Sequence, residues 1–261
     1  MGGMNILPLE FKRDGLTIRG LLYLPNGVGP FNLVILAHGF GAGLTTYTRK
    51  MAEVLCADNL ACYVFDFTGG SEGSSSDGSM LEMSVLTQKA DLLTVLDGFQ
   101  RYDSVKSIHL LGASQGGLVA AMAAKERKEE VEGLVLLYPA FSIPDSTRRQ
   151  FPSKDDIQEI NERMGSKVGR AYHEAVYDMD AYEEIRGFGK PVLIIHGDQD
   201  EVVPIEYSKR ALEVYPEARL YIVKGAGHSF NIYSFSRAMD EIAEFVKRND
   251  PEPRFAAFDA P

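Results

Sequence analysis

Basic residues are in the minority. The chain has 27 Lys and Arg against 37 Asp and Glu, a formal charge of −10. That leaves no cationic face for a nucleic-acid backbone or an anionic membrane. Cysteine is scarce. Cys56 and Cys62 are too few for a disulfide framework and are not spaced as CxxC. They read as small apolar core residues, and a reducing cytoplasm suits them. Long apolar runs are missing: no stretch approaches the ~20 consecutive apolar residues of a membrane span. Met1–Asn5 carries neither the basic start nor the apolar run of a signal peptide. The five histidines make no HExxH or other metal-ligand spacing, so neither a metal nor a cofactor is expected. What is present is ordinary globular material, 45% apolar and 25% charged over 261 residues. This excludes disorder, collagen and coiled coil.

Strand and helix signals alternate along the chain. Residues 5–12 and 16–24 predict a hairpin turning at Asp14-Gly15. A continuous apolar run at 32–37 predicts a buried strand, and further strands, often apolar throughout, are predicted at 60–67, 108–111, 134–138, 192–196 and 219–223. Helices are predicted at 46–57, 80–100, 115–128, 205–215 and 231–248, and a Gly- and Ser-rich loop at 68–79. Doubly buried strands separated by helices imply an α/β fold. It has a mostly parallel sheet of about eight strands, helices on both faces and an antiparallel edge. Residues 1–261 read as a single domain. The stretch 141–189 is too long for an ordinary crossover and reads as an inserted lid over one edge of the sheet, with helices at about 154–164 and 168–186. Its aromatics, Phe141, Phe151, Tyr172, Tyr177, Tyr182 and Phe188, suit either a slot for a planar acyl group or packing of the lid on the body.

Two pentapeptides match GxSxG, at 69–73 and 112–116. A nucleophile elbow needs a strand before it and a helix after it, so that a strained turn lifts the hydroxyl above the sheet. Ser114 has both. Ser71 is followed by Ser, Ser, Ser, Asp and Gly and reads as loop. The base for Ser114 is His228, on a Gly-rich loop after the last strand. His109 and His173 read as bystanders, the second as solvated. His38 and His196 end core strands and shape the top of the site. The carboxylate that orients the base is Asp200, just past the strand at 192–196; its rival Asp198 reads as shaping the turn. An oxyanion hole needs two backbone N–H groups. One is assigned to Gln115, after the nucleophile, and the other to Phe40, in the Gly-rich loop at 38–43.

The pieces HGF at 38–40, Asp66 with its Gly-rich loop, GASQGG at 112–117, HGDQDEVVP at 196–204 and GAGHSF at 225–230 resemble the α/β-hydrolase superfamily over essentially the whole chain. The order Ser114, Asp200, His228 is also that of the superfamily. Within it the chain most resembles the bacterial cinnamoyl (feruloyl) esterases. The resemblance implies a cytoplasmic serine esterase with a compact lid, acting on hydroxycinnamate esters of plant cell walls. The triad would be Ser114, Asp200 and His228, with oxyanion amides at Phe40 and Gln115. The chain departs from that family after Asp66, where GHGxS is replaced by Gly69-Gly-Ser-Glu-Gly73. The expected partner is a small-molecule ester, with no nucleic acid and no membrane. A serine peptidase or thioesterase on the same scaffold is the alternative. A non-catalytic binding protein is disfavoured because all three triad positions are filled. Ser114 disfavours a dehalogenase, which needs Asp there, and a dienelactone-type hydrolase, which usually has Cys.

Overall fold

The computed structural model describes residues 4–250. The first three residues and the proline-containing tail from 251 onward lie outside it. The chain opens with β1 (Met4–Arg13) and β2 (Leu16–Pro25), joined by Asp14-Gly15 with φ of 50° and 84°. Two consecutive left-handed residues give the turn that matches strand twist. Next come β3 (Phe31–Ala37), α1 (Thr46–Ala57), β4 (Ala61–Phe65), α2 (Val85–Phe99), β5 (Val105–Ala113), α3 (Gln115–Glu126) and β6 (Val131–Leu137). After residues 141–189 the core resumes with β9 (Val192–Gly197), α7 (Glu206–Ala211), β10 (Ala218–Val223) and α8 (Ile232–Arg248). The sheet order is β1-β2-β4-β3-β5-β6-β9-β10. Every pairing is parallel except β1 with β2 and β2 with β4. This is the α/β-hydrolase fold.

The continuous apolar strands follow from burial on both faces. In β3, Leu33, Ile35 and Ala37 pack with residues of α2 and α3, while Val34 and Leu36 pack with α1 and α8. Cys56 and Cys62 are free, buried members of the α1 and α8 side. No helix among the described residues is long and apolar enough to cross a membrane.

Three predicted elements differ. The helix expected at 80–100 begins at Val85, because Ser84 and Thr87 form a capping box that stops it there. Leu81, left outside the helix, and Leu86, in its first turn, are exposed. The helix expected at 154–164 is a single 3₁₀ turn at Lys154–Asp156 followed by a hairpin of β7 (Ile160–Arg163) and β8 (Ser166–Gly169). Met164 and Gly165 close it with φ of 49° and 82°. The helix expected at 168–186 is two, α5 (Arg170–Tyr177) and α6 (Ala181–Ile185), because the Asp180 carboxylate caps Tyr182 N–H and starts a new helix. The remaining helix of this stretch is α4 (Ile143–Gln150).

Candidate active site

Ser114 sits between β5 and α3 with φ 54° and ψ −119°, a strained conformation for a residue with a side chain. The flanking glycines permit it. A Cβ on Gly112 would lie 2.3 Å from the Gly116 carbonyl oxygen, and one on Gly116 would lie 2.2 Å from that of Ala37. The Ser114 amide donates to the Leu137 carbonyl at 2.9 Å, which ties the elbow to β6. Ser71 lies in the loop after β4, beside Asp66 and away from any elbow.

The three sequence-predicted groups meet. His228 Nε2 is 2.9 Å from Ser114 Oγ, and His228 Nδ1 is 2.7 Å from Asp200 Oδ2. A carboxylate only accepts, so Nδ1 carries the proton and Nε2 is free to accept the serine hydroxyl. The Asp200 carboxylate is fully buried; its other oxygen accepts the amides of Val202 and Val203 at 2.9 Å each. Asp198 is no rival: its carboxylate accepts the Gly225 amide at 2.6 Å and braces the loop that carries His228.

Sequence reasoning missed a fourth member. His196 Nε2 donates toward both Asp200 Oδ2, at 3.1 Å, and the Val203 carbonyl, at 2.9 Å. Its Nδ1 accepts the Ser208 hydroxyl at 2.7 Å. Burial pushes its pKa down, so it is a neutral support for the carboxylate. Its position four residues before Asp200, at the end of the same strand, was the available signal. His38 supports the loop at 38–43 in the same way. Its Nδ1 donates to the Gly39 carbonyl at 2.7 Å and its Nε2 accepts the Phe67 amide at 3.1 Å. His173 is not solvated as expected. It is buried on α5, 3.3 Å from the Thr147 hydroxyl and packed against Phe151 and Tyr172. His109 is buried in β5 beside Phe245.

Gln115 is the first residue of α3, so its amide has no partner within the helix. Its carboxamide is held away from the serine: Nε2 donates to Gln88 Oε1 at 2.9 Å, and Oε1 accepts the Tyr172 hydroxyl at 2.6 Å. The Phe40 ring meets the Tyr172 ring edge-on, with centroids 5.7 Å apart. Tyr172 of α5 therefore touches both residues assigned to the oxyanion hole.

A cavity of about 270 Å³ opens over the serine. Ser114, His228, Gly39, Phe40, Tyr47, Met51, Tyr138 and Met164 are among its walls, and no Asp, Glu, Lys or Arg lines it. Tyr138 follows β6 at φ 38°, and its ring packs 4.8 Å from that of His228. Among the described residues no cluster of three or more His, Cys, Asp or Glu could hold a metal ion.

The fold is shared with proteins of known structure and activity. Est1E from Butyrivibrio proteoclasticus, solved with ferulic acid bound, superposes with a TM-score of 0.85 at 26% identity, covering 92% of this chain and 98% of that one. The mitochondrial palmitoyl-protein thioesterase ABHD10 of Rattus norvegicus is 28% identical over 212 residues, or 75% of this chain and 68% of its own. Human monoglyceride lipase is 29% identical over 133 residues, spanning 51% of this chain and 43% of the lipase. The family model described as serine aminopeptidase, S33, matches residues 29–174, more than half of the chain. Strand order, elbow and sequence thus lead to one place: the chain belongs to the serine aminopeptidase S33 family and is a serine hydrolase of esterase and lipase type on the α/β-hydrolase fold.

Proposed function

We propose that the protein hydrolyses carboxylic esters, with Ser114 as nucleophile, His228 as general base and acid, and Asp200 as the carboxylate that orients it. The observation that carries this proposal is the unbroken hydrogen-bonded chain from Ser114 through His228 to Asp200 at the floor of an uncharged cavity. His228 takes the Ser114 proton as the oxygen attacks the ester carbonyl. The developing oxyanion is held by the amides of Gln115 and Phe40, each of which, by analogy with measured cases, is worth about 10²–10³ in rate. His228 returns the proton to the leaving alcohol. Water, deprotonated by the same histidine, then attacks the acyl-enzyme and releases the acid. Residues 141–189 act as the lid of this single-domain enzyme.

The acyl group is compact: a hydroxycinnamate or a short chain. At about 270 Å³ the cavity falls at or below the small end of ligand sites, which run from about 300 to 1,000 Å³. That argues against a long acyl chain. The ferulic acid in Est1E supports an aromatic acid. The family's description favours a second reading, aminopeptidase. Such an enzyme must hold a substrate ammonium group, and the cavity wall contains no carboxylate to do so.

The test is a rate panel on methyl ferulate, methyl caffeate, p-nitrophenyl acetate, butyrate and palmitate, and an aminoacyl anilide. The hydroxycinnamates or short esters are expected to turn over fastest. Ser114→Ala is expected to retain the fold and lose turnover by a factor of about 10⁴ or more. A variant that keeps more than a few per cent of the wild-type rate overturns the triad, and faster cleavage of the anilide overturns the esterase reading.

A further inference from the structure

Among the described residues of this acidic protein five arginines are half-buried: Arg13, Arg19, Arg127, Arg163 and Arg170. Four meet a carboxylate. Arg13 pairs with Asp91 at 2.6 Å, Arg19 with Asp77 at 2.7 Å, Arg127 with Asp97 at 3.3 Å and Arg170 with Glu174 at 2.7 Å. Arg163 has no ion pair and no hydrogen bond among the described residues, and its Nε is buried without a partner. A cation withdrawn from water is costly unless something compensates it.

Two aromatic faces hold Arg163 in place. Its guanidinium carbon lies 5.3 Å from the Phe40 ring centroid and 5.1 Å from that of Tyr172. Stacking offsets part of the desolvation and leaves the forked N–H groups unused. The acidic residue next to it in the chain does not neutralise it. Glu162 points to the opposite face of β7 by strand alternation and sits across from Lys167 in the hairpin. Arg163 is the one charge bearing on buried His173 and Tyr172, and it opposes a positive charge on the histidine. The position is adjacent to the chemistry. Phe40, beneath the guanidinium, and Met164, the next residue in the chain, both line the cavity with Ser114 and His228.

We propose that Arg163 is a substrate-recognition site, and that the preferred ester carries a carboxylate group which the guanidinium binds at the cavity mouth. A planar fork of donors matches a carboxylate in two parallel hydrogen bonds, and the rings of Phe40 and Tyr172 hold the fork before substrate arrives. The proposal rests on Ser114 being the esterase nucleophile. The carboxylate belongs to either the acyl or the alcohol half of the ester, and matched substrates separate the two.

The experiment compares p-nitrophenyl valerate with mono-p-nitrophenyl glutarate, and phenyl acetate with 3-carboxyphenyl acetate. Each pair differs by a carboxylate on one side of the ester. Wild type, Arg163→Met and Arg163→Lys are assayed at low and high salt. One anionic ester is expected to exceed its neutral partner about tenfold in kcat/KM, since a hydrogen bond to a charged group is worth roughly that factor or more. The preference should vanish in Arg163→Met, persist in part in Arg163→Lys, and shrink with salt. The preference is read as the ratio within each pair, so a change common to both esters does not enter it, and circular dichroism reports that each variant is folded. Equal rates within both pairs in wild type, or a preference that survives Arg163→Met, overturns the proposal. If no ester is cleaved, the esterase reading fails instead. Anion binding is then decided by glutarate, which should raise the Tm of wild type but not of Arg163→Met.

Discussion

Ser114 depends on a hydrogen atom at position 116. A methyl group there would press on the carbonyl oxygens of Ala37 and His38, 2.2 and 2.4 Å from an ideal Cβ. Backbone cannot yield as a flexible side chain would, so Gly116→Ala should force α3 away from β3. Overpacking of this kind costs about 1–3 kcal/mol, and urea unfolding should register it. Turnover is expected to fall further than stability alone accounts for, because Gln115 moves with α3. A Gly116→Ala enzyme with normal kcat would mean that the elbow tolerates displacement. The three side chains that meet over the cavity were readable in sequence because each stands in a short motif at a strand end: Gly112-Ala-Ser114, His196-Gly-Asp-Gln-Asp200, Gly227-His228. His196 was not read as a partner of Asp200. That contact exists only once residues 198–203 fold back and bring the carboxylate over the ring.

The hairpin β7–β8 and the break between α5 and α6 were the least legible features. A Met-Gly turn lacks the Asn or Asp that ordinarily announces a two-residue hairpin, and the charges of residues 154–164 imitate a helical surface. The core strands were plain by contrast, since burial on both faces writes itself as an apolar run. Yet α5 carries the one side chain that joins residues 141–189 to both oxyanion candidates. Tyr172→Phe keeps the ring against Phe40 and removes the donor to Gln115 Oε1. That oxygen is then buried without its tyrosine, at a cost of about 1–3 kcal/mol. The expected result is a lower urea midpoint, and a reduced kcat with little change in KM. An unchanged kcat would confine Tyr172 to structural support.

Four of the five histidines, His38, His109, His173 and His196, are buried, and burial lowers the pKa of each; for His109 and His173 it falls to about 4. In the unfolded chain they titrate near 6.5. Below that pH the unfolded state gains protons that the folded state refuses, so stability falls as the solution is acidified toward pH 4 and is flat above neutrality. His109 and His173 each contribute a loss of about 1.4 kcal/mol between about pH 7.5 and about pH 5.5. Urea midpoints across that range should show it, and His109→Gln should flatten the curve by one histidine's share; an unaltered slope would contradict the burial argument. His228, the proposed base, is placed differently. Among the described residues β10 is bonded to the sheet on one side only, and the loop bearing His228 hangs from that margin, while Ser114 stands just past the end of β5, a strand bonded on both sides. Marginal segments open at lower free energy than the centre. Heat should therefore silence the enzyme before it melts it: turnover is expected to stop several degrees below the midpoint seen by circular dichroism. Coincident loss would show the margin to be as firmly held as the core. Below that midpoint the loss reverses on cooling, and a warm, inactive molecule still has its sheet intact.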